Sequence, residues 1–133
     1  MLILAANAPA PTVLHLKLEG LRSSKGSVRL CIWRDAEAYP DCARSSSALR
    51  QVAPAKAVVD IDIVLPADGD YGISAIHDEN DNNRLDKSFI GMPTEGVAFS
   101  NDAKIRFGPP KFDKVRFAVA GEASHTMHMR YFL

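Results

Sequence analysis

The run His77–Asp86, HDENDNNRLD, sets oxygen-bearing side chains at alternate positions: Asp78, Asn80 and Asn82, with Asp86 four residues further on. Hard divalent cations such as calcium take roughly six to eight oxygens from carboxylates, amides, main-chain carbonyls and water. A loop supplies them when side chains at its first, third and fifth positions turn inward. A carbonyl follows at the seventh position and a ligand or bound water at the ninth. Here those positions are Asp78, Asn80, Asn82, the carbonyl of Arg84, and Asp86. The sixth needs a sharp turn, and Asn83 is the non-glycine type that best tolerates a left-handed conformation. Phe89 stands where a bidentate glutamate would complete the set, so one chelating carboxylate is missing; Glu95, in GMPTEG, could fold back to supply it. Asp81 falls at an even position and is expected to face solvent. Such a donor set predicts weak calcium binding, with Kd roughly 10⁻⁴–10⁻³ M. The same spacing also suits an Asx-rich turn whose side chains cap their own backbone. At this level both readings stand.

Other constellations are less specific. His77 and Asp78, with Glu95 in the following loop, allow a small hydrolase-type enzyme as an alternative, but no G-x-S-x-G elbow accompanies them. A histidine that anchors the loop by hydrogen bonds is the simpler expectation. His125 and His128 resemble a ligand pair, yet a spacing of three on a strand sends them to opposite faces. Met127 and Met129 share a face and read as core filling. Trp33 and Tyr39 are expected outward, near the loop between the two cysteines. With Arg106 and Phe112 of RFGPPKF they form a possible contact surface for a glycan or a protein. The plainer expectation for RFGPPKF is that its two phenylalanines pack over the sheet end.

Strands must position these residues. VLHLKLE alternates Leu14, Leu16 and Leu18 against His15, Lys17 and Glu19, and GSVRLCIWR repeats the pattern with Val28, Leu30 and Ile32. The turn-rich GLRSSKG between them predicts a hairpin. SSSALRQV predicts a helix of about two turns with a serine cap. AVVDIDIVLP and YGISAIHD are further strands, VAFS a short one, and DKVRFAVAG turns Val115, Phe117 and Val119 inward. SHTMHMRYFL closes the chain with Met127, Met129 and Tyr131 on one side. Short strands at regular spacing, without amphipathic helices between them, define an all-β protein: an antiparallel β-sandwich of about seven strands. One long ordered loop interrupts it, too long for a purely structural link.

Sixteen basic and sixteen acidic residues cancel, which argues against nucleic acid as a partner. No run reaches the roughly 20 apolar residues of a membrane span. The start, MLILAANAPA, reads as the tail of a signal peptide or a disordered leader over residues 1–10, with small-x-small cleavage patterns. Residues 11–133 then form one domain. Export permits a disulfide between Cys31 and Cys42, preferred here over two free buried thiols, and the spacing suits neither a CxxC redox pair nor a zinc site.

The stretch from YGISAIHDENDNNRLD through SFIGMPTEGVAFSNDAKIRFGPPKF resembles the bacterial family catalogued as domain of unknown function 2141, over about residues 12–131. The shared features are His-Asp-Glu-Asn after a strand, an Asn/Gly-rich turn, Leu-Asp, Phe-x-Gly-x-Pro-x-Glu-Gly, Phe-Ser-Asn and Gly-Pro-Pro-x-Phe. The resemblance implies export and a transthyretin-like or prealbumin-like sandwich, and it implies no reaction. Asp81 and Asn83 stand where the family favours glycine, and Val97-Ala98 replaces its aromatic-glycine pair. The combined expectation is a periplasmic or secreted, non-enzymatic module. It would bind calcium in the 78–86 loop and contact an envelope protein or glycan. A purely structural envelope domain is the other alternative to the hydrolase.

Overall fold

The computed structural model describes residues 10–85 and 93–133. Asp86 and all but the last residue of the expected signal remnant lie outside the described residues. Within them are eight strands: β1 (Thr12–Glu19), β2 (Ser27–Trp33), β3 (Leu49–Pro54), β4 (Val59–Leu65), β5 (Gly69–Asp78), β6 (Gly96–Phe99), β7 (Phe117–Val119) and β8 (Glu122–His128). A single helical turn, α1 (Phe112–Val115), precedes β7. One sheet has the order β4-β1-β8; the other runs β3-β2-β5-β6, with β7 added to the start of β5. All pairings are antiparallel except β1 with β8, which is parallel.

The alternation read from the chain is the alternation that packs. Leu14, Leu16 and Leu18 of β1 meet Val28, Leu30 and Ile32 of β2, Ile73 and Ala75 of β5, and Met127 of β8 in one apolar core between the sheets. Removing each such aliphatic side chain from water contributes roughly 1.5–3 kcal/mol, and this is what holds the two layers together. The result is a β-sandwich with antiparallel pairs dominant.

Three local expectations fail for identifiable reasons. Strands β1 and β2 are not a hairpin: they belong to different sheets, and the turn between them crosses the sandwich. Gly20 and Gly26 take positive φ on either side of this crossing, and Leu21 is buried within it. The segment expected as a capped helix instead becomes β3. Ser45 does accept the amides of Ser47 and Ala48, as a cap would, but the chain then extends to pair with β2. Residues 112–115 coil into α1, so β7 is only three residues long.

Cys31 and Cys42 form a disulfide. Cys31 sits on the face of the larger sheet turned away from the main core, and the bridge draws the loop after β2 across that face. A second, smaller apolar cluster results, in which Trp33, Cys31 and Ala48 pack with Tyr39, Cys42 and Phe112. Closing a loop of this size stabilises by roughly 2–3 kcal/mol in the chain-entropy account. Replacing both cysteines by serine is therefore expected to lower the urea midpoint by the equivalent of that amount. An unchanged midpoint would mean that side-chain packing alone holds the loop down.

Candidate functional site

Strand β5 delivers the polar run to the end of the larger sheet. His77 shares the inward parity of Ile73 and Ala75, and Asp78 has the opposite parity; both are wholly buried. Burial of Asp78 follows from the crossing turn beside it, where Gly26 lies so close that a Cβ there would stand 2.0 Å from the Asp78 carbonyl oxygen.

The Asp78 carboxylate closes the turn that follows. One oxygen accepts the amide of Asn82 at 3.1 Å and the other the amide of Asn83 at 2.8 Å. The Asn80 side-chain oxygen accepts the same Asn82 amide at 3.2 Å, so the first two alternate oxygens converge on one donor. Asn82 repeats the pattern one step on, accepting the amide of Arg84 at 3.2 Å. The turn takes left-handed backbone at Asp81 (φ 53°) and Asn83 (φ 66°), the two positions where glycine would be least strained. Asn83 thus makes the sharp sixth-position bend. Asp81 is exposed but engaged, accepting the Ser27 hydroxyl at 2.6 Å.

Glu95 does fold back. It is buried, and its carboxylate accepts the Glu79 amide at 2.8 Å, gripping the loop at its entry. Of the expected metal donors, Asp78, Asn80, Asn82 and Arg84 lie in one turn, Glu95 reaches its start through the Glu79 amide, and Asp86 lies outside the described residues. Among the described residues no group of three His, Cys, Asp or Glu side chains is arranged to hold a metal ion.

A second layer of contacts, which no motif in the sequence announces, ties this loop to the crossing turn and to residues 131 and 133. The Arg22 guanidinium grips both oxygens of the Glu79 carboxylate, the nearest at 2.6 Å, while also donating to the main-chain oxygens of Thr94 and Leu133. It stacks over the Tyr131 ring at 4.5 Å. The Arg22 hydrogen bonds hold the Glu79 carboxyl below its ordinary range, with Ser23 adding to the effect against partial desolvation. A fork of this kind fixes direction as well as distance.

His77 completes the anchor. Its Nε2 lies 2.8 Å from the Lys25 carbonyl, which can only accept, so Nε2 carries the proton. Nδ1 then accepts the Tyr131 hydroxyl at 2.7 Å, and that hydroxyl accepts the Arg22 amide. The expected loop-anchoring role is what these bonds perform. Ser100 is also buried; its hydroxyl donates to the Val115 carbonyl and accepts the Ile73 amide. His125 stacks on Phe117 and accepts the Asn101 amide, whereas His128 lies between Asp102 and Glu19. The two histidines thus serve separate contacts.

The expected aromatic surface needs correction. Trp33 has the outward parity but is 0% exposed; its indole donates to Ser74. Tyr39 packs edge-on against Trp33 and Phe112, donates to the Pro110 carbonyl, and has its hydroxyl pKa pushed up to about 12 by burial. Phe112 is half-buried in the same cluster, and only Arg106 of the four stands free in solvent. The loop covering the outer face hides the rings. RFGPPKF also divides: Phe112 packs, but Phe107 is 108% exposed.

Fold and site together define a small β-sandwich whose β5–β6 connection is clamped at its start by carboxylates that accept main-chain amides and by an arginine fork. The chain belongs to the family described as an uncharacterized protein conserved in bacteria (DUF2141), whose model matches residues 16–127. No curated protein and no solved structure matches the chain.

Proposed function

We propose that the protein is an exported, non-enzymatic binding module of the cell envelope, and that its 78–86 loop takes calcium. The observation that carries the loop reading is the convergence of the Asp78 and Asn80 oxygens on a single amide, with a left-handed bend at Asn83. The first two alternate oxygens thus already face a common point, and carboxylate and amide oxygens are the donors a hard cation takes. Asp78, Asn80, Asn82 and the Arg84 carbonyl would hold the ion, with Asp86 and Glu95 completing the set. An all-oxygen donor group suits a hard cation. Calcium would stiffen the loop as a platform for an envelope protein or glycan. The disulfide is compatible with life outside the reducing cytoplasm, and no helix among the described residues is long and apolar enough to cross a membrane.

A second reading has its own support. Both Asp78 oxygens accept amides, so the turn is satisfied without an ion, as a purely structural envelope domain would require. Thermal melting distinguishes the two. At about ten times a Kd of roughly 10⁻³ M, calcium adds about 1.4 kcal/mol, and the melting temperature rises by about 4–6 °C. Magnesium should do less, and the variant Asn80→Ala/Asn82→Ala should lose the increment. Identical curves with calcium and with chelator would leave the structural reading standing.

A further inference from the structure

We propose that the loop between β6 and α1 docks onto an anionic lipid surface, with Phe107 as the inserted side chain. Over residues 104–116 the chain carries five exposed basic residues, Lys104, Arg106, Lys111, Lys114 and Arg116, against one acidic residue, Asp113, which pairs with Arg116 at 3.1 Å and leaves four unneutralised cations. The whole chain has no net charge, so this segment is a local positive patch on an otherwise compensating surface. Phe107 stands at its centre, fully exposed, and the neighbouring Gly108 has open space around it.

The base of this projection is firm. Pro110 is buried and its carbonyl accepts the Tyr39 hydroxyl at 2.6 Å, while Phe112 and Val115 pack close over Gly72. The Asn101 side-chain amide donates to the carbonyls of Lys114 and Arg116, fixing the far limb. A rigid stem therefore presents an apolar ring flanked by cations. A ring so completely exposed has no groove wall beside it to clasp a peptide or sugar chain. It suits a soft medium that closes around it, and the flanking lysines and arginines suit anionic headgroups at the boundary.

This surface is independent of the calcium reading, because its stem packs near Gly72, toward the start of β5, whereas the polar loop leaves from Asp78 at its end. The experiment is co-sedimentation with vesicles of phosphatidylglycerol mixed with phosphatidylcholine, and with vesicles of phosphatidylcholine alone. Wild type is expected to bind only the anionic vesicles and to release them in high salt. Lys111→Glu should weaken binding roughly 30-fold, as reversing one charge at the headgroup level implies. Phe107→Ser should weaken binding at equal charge while leaving the melting temperature unchanged, since the ring makes no buried contact. No binding to anionic vesicles would overturn the proposal. So would binding that neither variant alters, or retention on an immobilised anionic polysaccharide without any on lipid.

Discussion

Asp78→Ala is expected to destabilise the protein by about 2–4 kcal/mol, the largest single effect of any change within the polar loop. The carboxylate is wholly buried and serves the amides of Asn82 and Asn83. A donor left without its acceptor costs about 1–3 kcal/mol, and a lost bond whose donor keeps another partner about 0.5–1.5 kcal/mol; alanine orphans the Asn83 amide and leaves the Asn82 amide to Asn80 alone. Asp78→Asn keeps the shape and one acceptor but sets a donating NH₂ against the other amide, so its cost should fall between wild type and alanine. A urea titration of the three proteins orders them directly. If instead the turn opens and water takes both amides, Asp78→Ala will cost under about 1 kcal/mol, and the loop's order would have to come from elsewhere.

Gly26→Ala should be of similar size, about 2–5 kcal/mol, for a different reason. Its φ of +67° disfavours any Cβ, a penalty of roughly 1–2 kcal/mol. The added carbon would also stand 2.0 Å from the Asp78 carbonyl oxygen and 2.7 Å from that of Glu79. Both obstacles are backbone, so relief requires shifting the end of β5 away from β2, where Ser27 pairs with Asp78. Overpacking of this kind typically costs a further 1–3 kcal/mol. The same shift would pull Glu79 from the Arg22 fork. Gly108→Ala serves as the control: nothing lies within reach of its Cβ, and its stability should be unchanged.

Period-two burial was legible wherever one face of a strand meets the main core, as in β1 and β4, because alternation there is imposed by a single apolar layer. It misled at Trp33. The parity was right, but the covering segment, RDAEAYPDCARSSS, is too polar to announce that it buries anything. Cys31–Cys42 and Tyr39 do that work from within it. The β1–β2 connection reads as a hairpin in the sequence because turn residues signal a reversal and not the sheet to which the chain returns. At the candidate site, the alternation of Asp78, Asn80 and Asn82 and the bend at Asn83 were readable from residue type and spacing. The partners of those oxygens were not, since main-chain amides leave no mark in a sequence. Arg22 and Glu79 lie 57 residues apart and meet only because the crossing turn passes the end of β5. Lone charges at such a distance carry no pairing signal.

The buried Asp78 carboxylate, by accepting two main-chain amides, fixes the loop that follows β5. Amide hydrogen exchange at Asn82 and Asn83 tests it most directly. Both amides should exchange slowly in the wild type; in Asp78→Ala the Asn83 amide should exchange rapidly and the Asn82 amide, left with Asn80 alone, at an intermediate rate, while the β2–β5 ladder keeps most of its protection. Exchange at the rate of an unstructured peptide for both amides in the wild type would contradict the claim.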